Sequence, residues 1–135
     1  MGETRNILIV DRELGIRNAL KRTFRQEYRS FSATNGRDAL SIMEENNIAL
    51  VITDHRIPGM TGIEFLEKVS REYPDTICII LTAYMDENLH TDAIAKVKVH
   101  RYLAKPWETD ELKQVVRESL ESRYRQVRGK LKRKV

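Results

Sequence analysis

Four short apolar runs punctuate this chain, and each hands over to one reactive polar residue at its C-terminal end. Ile7, Leu8, Ile9 and Val10 lead into Asp11, and Leu50, Val51, Ile52 and Thr53 lead into Asp54. Ile77, Cys78, Ile79, Ile80 and Leu81 lead into Thr82, and Tyr102, Leu103 and Ala104 lead into Lys105. Runs this short and this uniformly apolar predict strands buried on both faces, which is the habit of a parallel sheet. Ligands and chemistry gather outside the carboxyl ends of such strands. The pattern therefore predicts that Asp11, Asp54, Thr82 and Lys105 meet in one place. Two carboxylates, a hydroxyl and an ammonium are a set suited to handling a phosphoryl group.

Between the runs the period changes from strand to helix. Ile16, Ala19, Leu20 and Phe24 recur at helical spacing, with Arg17, Lys21, Arg22 and Arg25 opposite. A short run of Ser30, Phe31, Ser32 and Ala33 follows, then a helix over 36–45 with Ala39, Leu40 and Met43 on one face. After Asp54 comes a loop over 55–60 whose Pro58-Gly59 pair signals a turn. Thr61 is placed to cap a helix carrying Ile63, Leu66, Val69 and Tyr73 inward, which Pro74 stops. A polar helix with a narrow stripe of Leu89, Ala93, Ile94 and Val97 is expected over about 86–97. Pro106-Trp107 makes a bend, and Thr109 is the expected cap of a last helix with Leu112, Val115, Val116 and Leu120. The result is (βα) five times over, an α/β doubly wound five-stranded parallel sheet.

Composition changes this picture in one respect. The 135 residues suit a single domain, and neither a membrane span nor a signal-peptide core is present in the sequence. Cys78 is the lone cysteine, sits inside an apolar run and offers no disulfide, which points to a cytoplasmic setting. The net charge of +4 is not evenly spread. Residues 123–135 hold seven Lys or Arg and no acid, which leaves 17 basic against 20 acidic residues in 1–122. The expected division is a mildly acidic domain over 1–122 and a basic tail or linker over 123–135, with Gly129 interrupting any long helix. Clustered cations make nucleic acid a partner to consider for the tail, though not for the body.

With these residues in hand, the chain closely resembles the receiver domain of bacterial two-component response regulators. The resemblance rests on the run into Asp11, on Asp54 followed by Pro58-Gly59-Met60-Thr61-Gly62, on Leu81-Thr82-Ala83, and on Tyr102-Leu103-Ala104-Lys105-Pro106. It implies the flavodoxin-like strand order 2-1-3-4-5. Asp54 would be the phospho-acceptor, fed by a sensor histidine kinase in a phosphorelay. Lys105 and Thr82 would contact the phosphoryl group, and Tyr102 would be the aromatic that swings inward as Thr82 moves. The readout would be the face of the fourth helix, fifth strand and fifth helix, which contacts an output domain, a partner protein or a second copy. The segment from Tyr102 to Trp107 is most similar to receivers that precede cyclic-di-GMP phosphodiesterase domains or enhancer-binding activators.

One position departs from the family. Receivers carry two adjacent acids after the first strand, and the second is the usual Mg²⁺ ligand; here the pair is Asp11-Arg12. The remaining candidate ligands are Asp11, Asp54, the backbone carbonyl of Arg56 and, less directly, Glu13. Exchanging a carboxylate for a cation should weaken Mg²⁺ binding sharply. Arg12 also supports an alternative function, a phosphorylation-independent pseudo-receiver that works as a binding module. An enzyme reading is disfavoured: a haloacid-dehalogenase-like phosphatase needs Asp-x-Asp where Asp11-Arg12-Glu13 stands, and a P-loop needs glycines where only Gly15 is present. Arg56 and Tyr84 are placed to shield the site, and His55, His90 and His100 read as surface or loop residues without metal-ligand spacing.

Overall fold

The structure is a computed structural model that describes residues 5–83 and 99–134. Its elements are β1 (Asn6–Val10), α1 (Leu14–Phe24), β2 (Arg29–Ala33), α2 (Gly36–Glu45), β3 (Leu50–Thr53), β4 (Arg56–Ile57), β5 (Met60–Thr61), α3 (Gly62–Glu72), β6 (Ile77–Thr82), β7 (Arg101–Ala104) and α4 (Thr109–Lys134). Five strands pair in parallel in the order β2-β1-β3-β6-β7. Counting only these five, that is the expected order 2-1-3-4-5. The helix expected over 86–97, with Tyr84 and His90, lies outside the described residues.

Alternation along each strand explains the two layers. Leu8, Val10, Val51, Cys78 and Ile80 pack with Ala39 and Met43 of α2 and with Phe65, Leu66 and Val69 of α3. Their strand neighbours Ile7, Ile9, Leu50, Ile52, Ile79 and Leu81 pack on the other face with Leu20 and Phe24 of α1 and with Leu112, Val115, Val116 and Leu120 of α4. Every residue of β3 and β6 is buried. β7 is less covered than its apolar sequence predicts, because it is the edge strand of the described sheet and leaves Arg101 and Ala104 exposed.

Helix ends follow local chemistry. Asn35 caps α2 by accepting from the Asp38 N–H, and Thr61 and Glu64 close a reciprocal capping box at the start of α3. The last helix corrects the expected cap. Thr109 is its first residue, and the Glu108 carboxylate accepts from the Asp110 and Glu111 N–H groups at 3.1 and 2.8 Å. The 55–60 loop is also more ordered than expected: Arg56 and Ile57 pair antiparallel with Thr61 and Met60, around Gly59 at φ +84°. That left-handed backbone is where glycine replaces other residues without strain. α4 runs without a break to Lys134, so Gly129 does not end it. Among the described residues, no helix is long and apolar enough to cross a membrane.

The core rests heavily on α3, where Phe65 is fully buried although its helix was expected to turn only Ile63, Leu66, Val69 and Tyr73 inward. Phe65→Ala should destabilise the domain by about 3–5 kcal/mol. A denaturant titration should show this as a lower midpoint with an unchanged slope.

Candidate functional site

Backbone pairing places the site before any side chain is considered. The Asp11 N–H donates to the Ala33 carbonyl, the Asp54 N–H to the Val10 carbonyl, and the Lys105 N–H to the Thr82 carbonyl, at 3.1, 3.0 and 3.0 Å. Each residue therefore continues a parallel ladder one step past its strand. Asp11, Asp54 and Lys105 emerge at one level along the carboxyl edge of the sheet, and Thr82 closes β6 beside them.

Lys105 Nζ donates to Asp11 Oδ2 at 2.6 Å and to Asp54 Oδ2 at 2.7 Å. The three side chains are only 11, 3 and 13% exposed for Lys105, Asp11 and Asp54. The remaining oxygens are also occupied. Asp11 Oδ1 accepts from the Glu13 N–H at 2.9 Å, and Asp54 Oδ1 accepts from the His55 N–H at 2.6 Å and, weakly, from Arg56 at 3.4 Å. Burial alone would raise the Asp54 pKa, but the Lys105 ammonium, the Thr82 hydroxyl and the Arg56 N–H outweigh it and hold the carboxyl below its ordinary value. Burial would likewise lower the Lys105 pKa, and hydrogen bonding to Asp11 and Asp54 carries it above its ordinary value instead. Asp54 is thus a carboxylate at neutral pH, with the Lys105 ammonium and the Thr82 hydroxyl bonded to it.

The other expected residues fall as follows. Tyr102 lies half-buried in β7, in register with Ile80, packs against the core facing α2 and α3, and has its phenol pKa raised by burial. Arg12 and Glu13 are both exposed at the start of α1, and Arg56 is exposed in β4. Their sequence positions next to Asp11 and Asp54 were legible, and the structure brings the backbone N–H groups of Glu13 and Arg56 to the acidic pair. Two contacts around the site were not anticipated. Arg17 Nη1 donates to the Asp11 carbonyl at 2.7 Å and ties α1 to the site loop. Gly62 packs so closely that a Cβ there would stand 2.4 Å from the Asp54 carbonyl oxygen. His100 is likewise more than a loop residue, since its Nδ1 accepts from the Cys78 N–H at 3.0 Å.

The donor set is a poor one for Mg²⁺, the ion receivers generally bind at such a site, and leaves Asp11, Asp54 and the Arg56 backbone carbonyl as the candidate ligands. Mg²⁺ demands near-octahedral hard oxygens. Here both carboxylates of the pair already bond to one ammonium, and the adjacent acid is replaced by Arg12. Among the described residues, no group of three or more acidic, His or Cys side chains is placed to hold a metal.

Comparison with known proteins agrees with this fold. Residues 7–117 match the model of the response regulator receiver domain family. The chain is 36% identical over 115 residues to the sporulation initiation phosphotransferase F of Bacillus subtilis, covering 84% of this chain and 92% of that one. It is 29% identical over 116 residues to the hydrogenase transcriptional regulatory protein HoxA of Cupriavidus necator, covering 86% of this chain and 24% of HoxA. It thus spans about a quarter of HoxA and most of the phosphotransferase. Among solved structures, the signal receiver domain of an HD domain-containing protein from Pseudomonas fluorescens superposes with a TM-score of 0.90 at 29% identity, over 95% of each chain.

Two outcomes follow from the site's geometry. Lys105→Met leaves two buried carboxylates facing each other, so the Asp54 pKa should rise above its ordinary value in a carbon-detected NMR titration and stability should fall on the order of 3 kcal/mol. The Asp54 contribution, from a depressed pKa, is present above its ordinary value of 3.8 and lost as pH falls through the lower folded value. The Lys105 contribution, from a raised pKa, is present below 10.5 and lost as pH rises through the higher folded value. The difference between wild type and Lys105→Met should therefore be largest between these limits and shrink beyond either. Separately, Gly62→Ala should cost about 1–3 kcal/mol by forcing its methyl against the Asp54 backbone, and should shift the Asp54 and His55 amide resonances.

Proposed function

The chain belongs to the response regulator receiver family, and from that premise we propose that it is a phosphorelay switch whose phospho-acceptor is Asp54. The observation that carries this reading is the single ammonium of Lys105 bonded to Asp11 and Asp54 at once, 2.6 and 2.7 Å away, beside the Thr82 hydroxyl. An Asp54 carboxylate oxygen bonds to phosphorus as the P–N bond to a kinase histidine breaks. The imidazole nitrogen keeps the electron pair and takes a proton from solvent. Aspartyl phosphate is an established kind of carboxylate adduct. Lys105 and Thr82 follow the added charge onto the phosphoryl oxygens, because they are donors already directed at that carboxylate. Beyond this one transfer to itself the domain is a signalling module with no turnover of a substrate.

The readout proposed is β7 with α4 and the helix expected over 86–97. Rotation of Thr82 towards the phosphoryl group frees space that the half-buried Tyr102 ring enters, converting a charge event into a change of surface shape. That surface would serve an output domain, a partner or a second copy, in the cytoplasm where the kinase acts. The domain proper is taken as 1–122, and 123–135 as an extension with a role of its own.

Arg12 stands where the family has its metal-binding acid. In this reading Mg²⁺ is bound weakly, and the exposed guanidinium folds over the phosphoryl oxygens, which it can pair in bidentate fashion. The same substitution favours a second reading, a pseudo-receiver that binds partners without phosphate. Incubation with acetyl phosphate decides between them. Intact mass should show a labile gain of one phosphoryl group that is absent from Asp54→Asn. The gain should form at similar rates with Mg²⁺ or with a chelator, and Arg12→Asp should introduce a Mg²⁺ dependence of roughly tenfold or more, the scale on which groups around a metal site act. Absence of the adduct both from acetyl phosphate and from a panel of sensor kinases would favour the pseudo-receiver.

A further inference from the structure

The last helix outruns the domain that it belongs to. Its final core residue is Leu120 and the family match ends at 117, yet α4 continues to Lys134. Beyond Leu120 the helix leaves the core and becomes a basic rod. Residues 123–134 span about 18 Å at 1.5 Å per residue. They carry Arg123, Arg125, Arg128, Lys130, Lys132, Arg133 and Lys134, and no acid follows Glu121. From Arg128 onward no cation has an acidic residue one turn before it, so none is paired from that side within the helix.

The cations are ordered. At about 100° per residue, positions 125, 128 and 132 of the helical backbone fall in one row and positions 123, 130 and 134 in a second, roughly opposite. Between the rows fall the apolar positions 124, 127 and 131 of the sequence. Tyr124 is 49% exposed, but the Arg5 and Arg128 guanidinium groups each lie 5.9 Å from its ring centre, so part of the stripe is already covered by charge. Arg123 Nε donates to the Asp75 carbonyl at 2.6 Å and fixes the root of the rod to the body.

We propose that residues 123–134 are a nucleic-acid-binding element, with the two cation rows contacting the phosphate backbones on either side of a duplex groove. Phosphate neutralisation by clustered Lys and Arg is the dominant source of such affinity, and a helix fits the major groove of a duplex. Two rival occupants fit less well. A second copy pairing along the stripe would bring Arg123, Arg128 and Lys130 against their own counterparts, which opposes a homotypic coiled coil. An anionic bilayer binds in proportion to buried apolar area, and three stripe residues, one of them flanked by guanidinium groups, offer little. The rod starts at the amino end of the sheet, since Arg5 precedes β1 and Asp75 precedes β6, whereas Asp54 lies at the carboxyl end. The proposal therefore does not rest on phosphorylation.

The test is fluorescence anisotropy of a labelled mixed-sequence DNA duplex with the full chain, from about 50 to 200 mM salt. Binding should weaken with a log–log salt slope of about −4 to −6, as expected for five to seven phosphate contacts. Changing Arg125, Arg128 and Lys132 together to Gln touches no core residue. It should reduce the slope by about 2–3 and the affinity at low salt by at least roughly tenfold, with an unchanged circular dichroism spectrum. Asp54→Asn should bind the duplex as wild type does, so a failure of the phosphorylation reading and a failure of this one are separable. No duplex binding at about 50 mM salt, or equal binding by the triple variant, would overturn the proposal. So would binding to phosphatidylserine vesicles, abolished by changing Val127 and Leu131 to Ser, in the absence of duplex binding.

Discussion

One ammonium holds this site together. Lys105 lies between Asp11 and Asp54, whose carboxylates would otherwise confront each other with almost no solvent to screen them. Burial disfavours the charged forms of Asp54 and Lys105, and their hydrogen bonds reverse that preference for both. Formal charges of two acids and one base leave the trio at −1, with its cation directed inward. Because Lys105 comes from the far edge of the described sheet, this contact also ties β7 to β1 and β3 across β6. Fold and chemistry share one interaction.

The surroundings of Asp54 keep it where that ammonium can reach it. The turn after β3 is closed by the β4–β5 hairpin, and the Gly62 N–H donates to the His55 carbonyl at 2.7 Å. The capping box of Thr61 and Glu64 starts α3 at that spot, and the Thr61 hydrogen bonds hold the Glu64 carboxyl below its ordinary value. Only a residue without a Cβ fits where α3 meets the Asp54 backbone. A rigid support of this kind keeps the Asp54 carboxylate in place without reorganisation.

Charge is distributed along the molecule with a matching logic. The acidic pair lies at the carboxyl edge of the sheet. The unbalanced cations of the last helix begin at the other end, beyond the last residue that the core covers. A helix that continues past its core has no hydrophobic reason to do so, and most helical stability comes from packing. Seven cations over twelve residues are the feature on which the proposed nucleic-acid contact rests.

Much of this was legible in the sequence, for definite reasons. Apolar runs of period-independent burial named the parallel strands, and the first polar residue after each run named the site, because the end of a buried strand is where the chain returns to solvent. Thr61 with Glu64 signalled a helix start through local chemistry alone. Other features were not legible in the hydrophobic pattern. Glu108, and not Thr109, caps the last helix because the bend after Lys105 sets which side chain faces the free N–H groups. Gly129 leaves the helix intact, since one glycine costs only about 1 kcal/mol against its neighbours. His100 reaches β6 through an unpredictable ring contact. The sequence alone determined which groups stand at the strand ends, because that follows from hydrophobic pattern. The tertiary structure alone decided that Lys105 bonds both carboxylates while Arg12 and Glu13 point to solvent, because side-chain convergence depends on strand register and loop packing that no local pattern encodes.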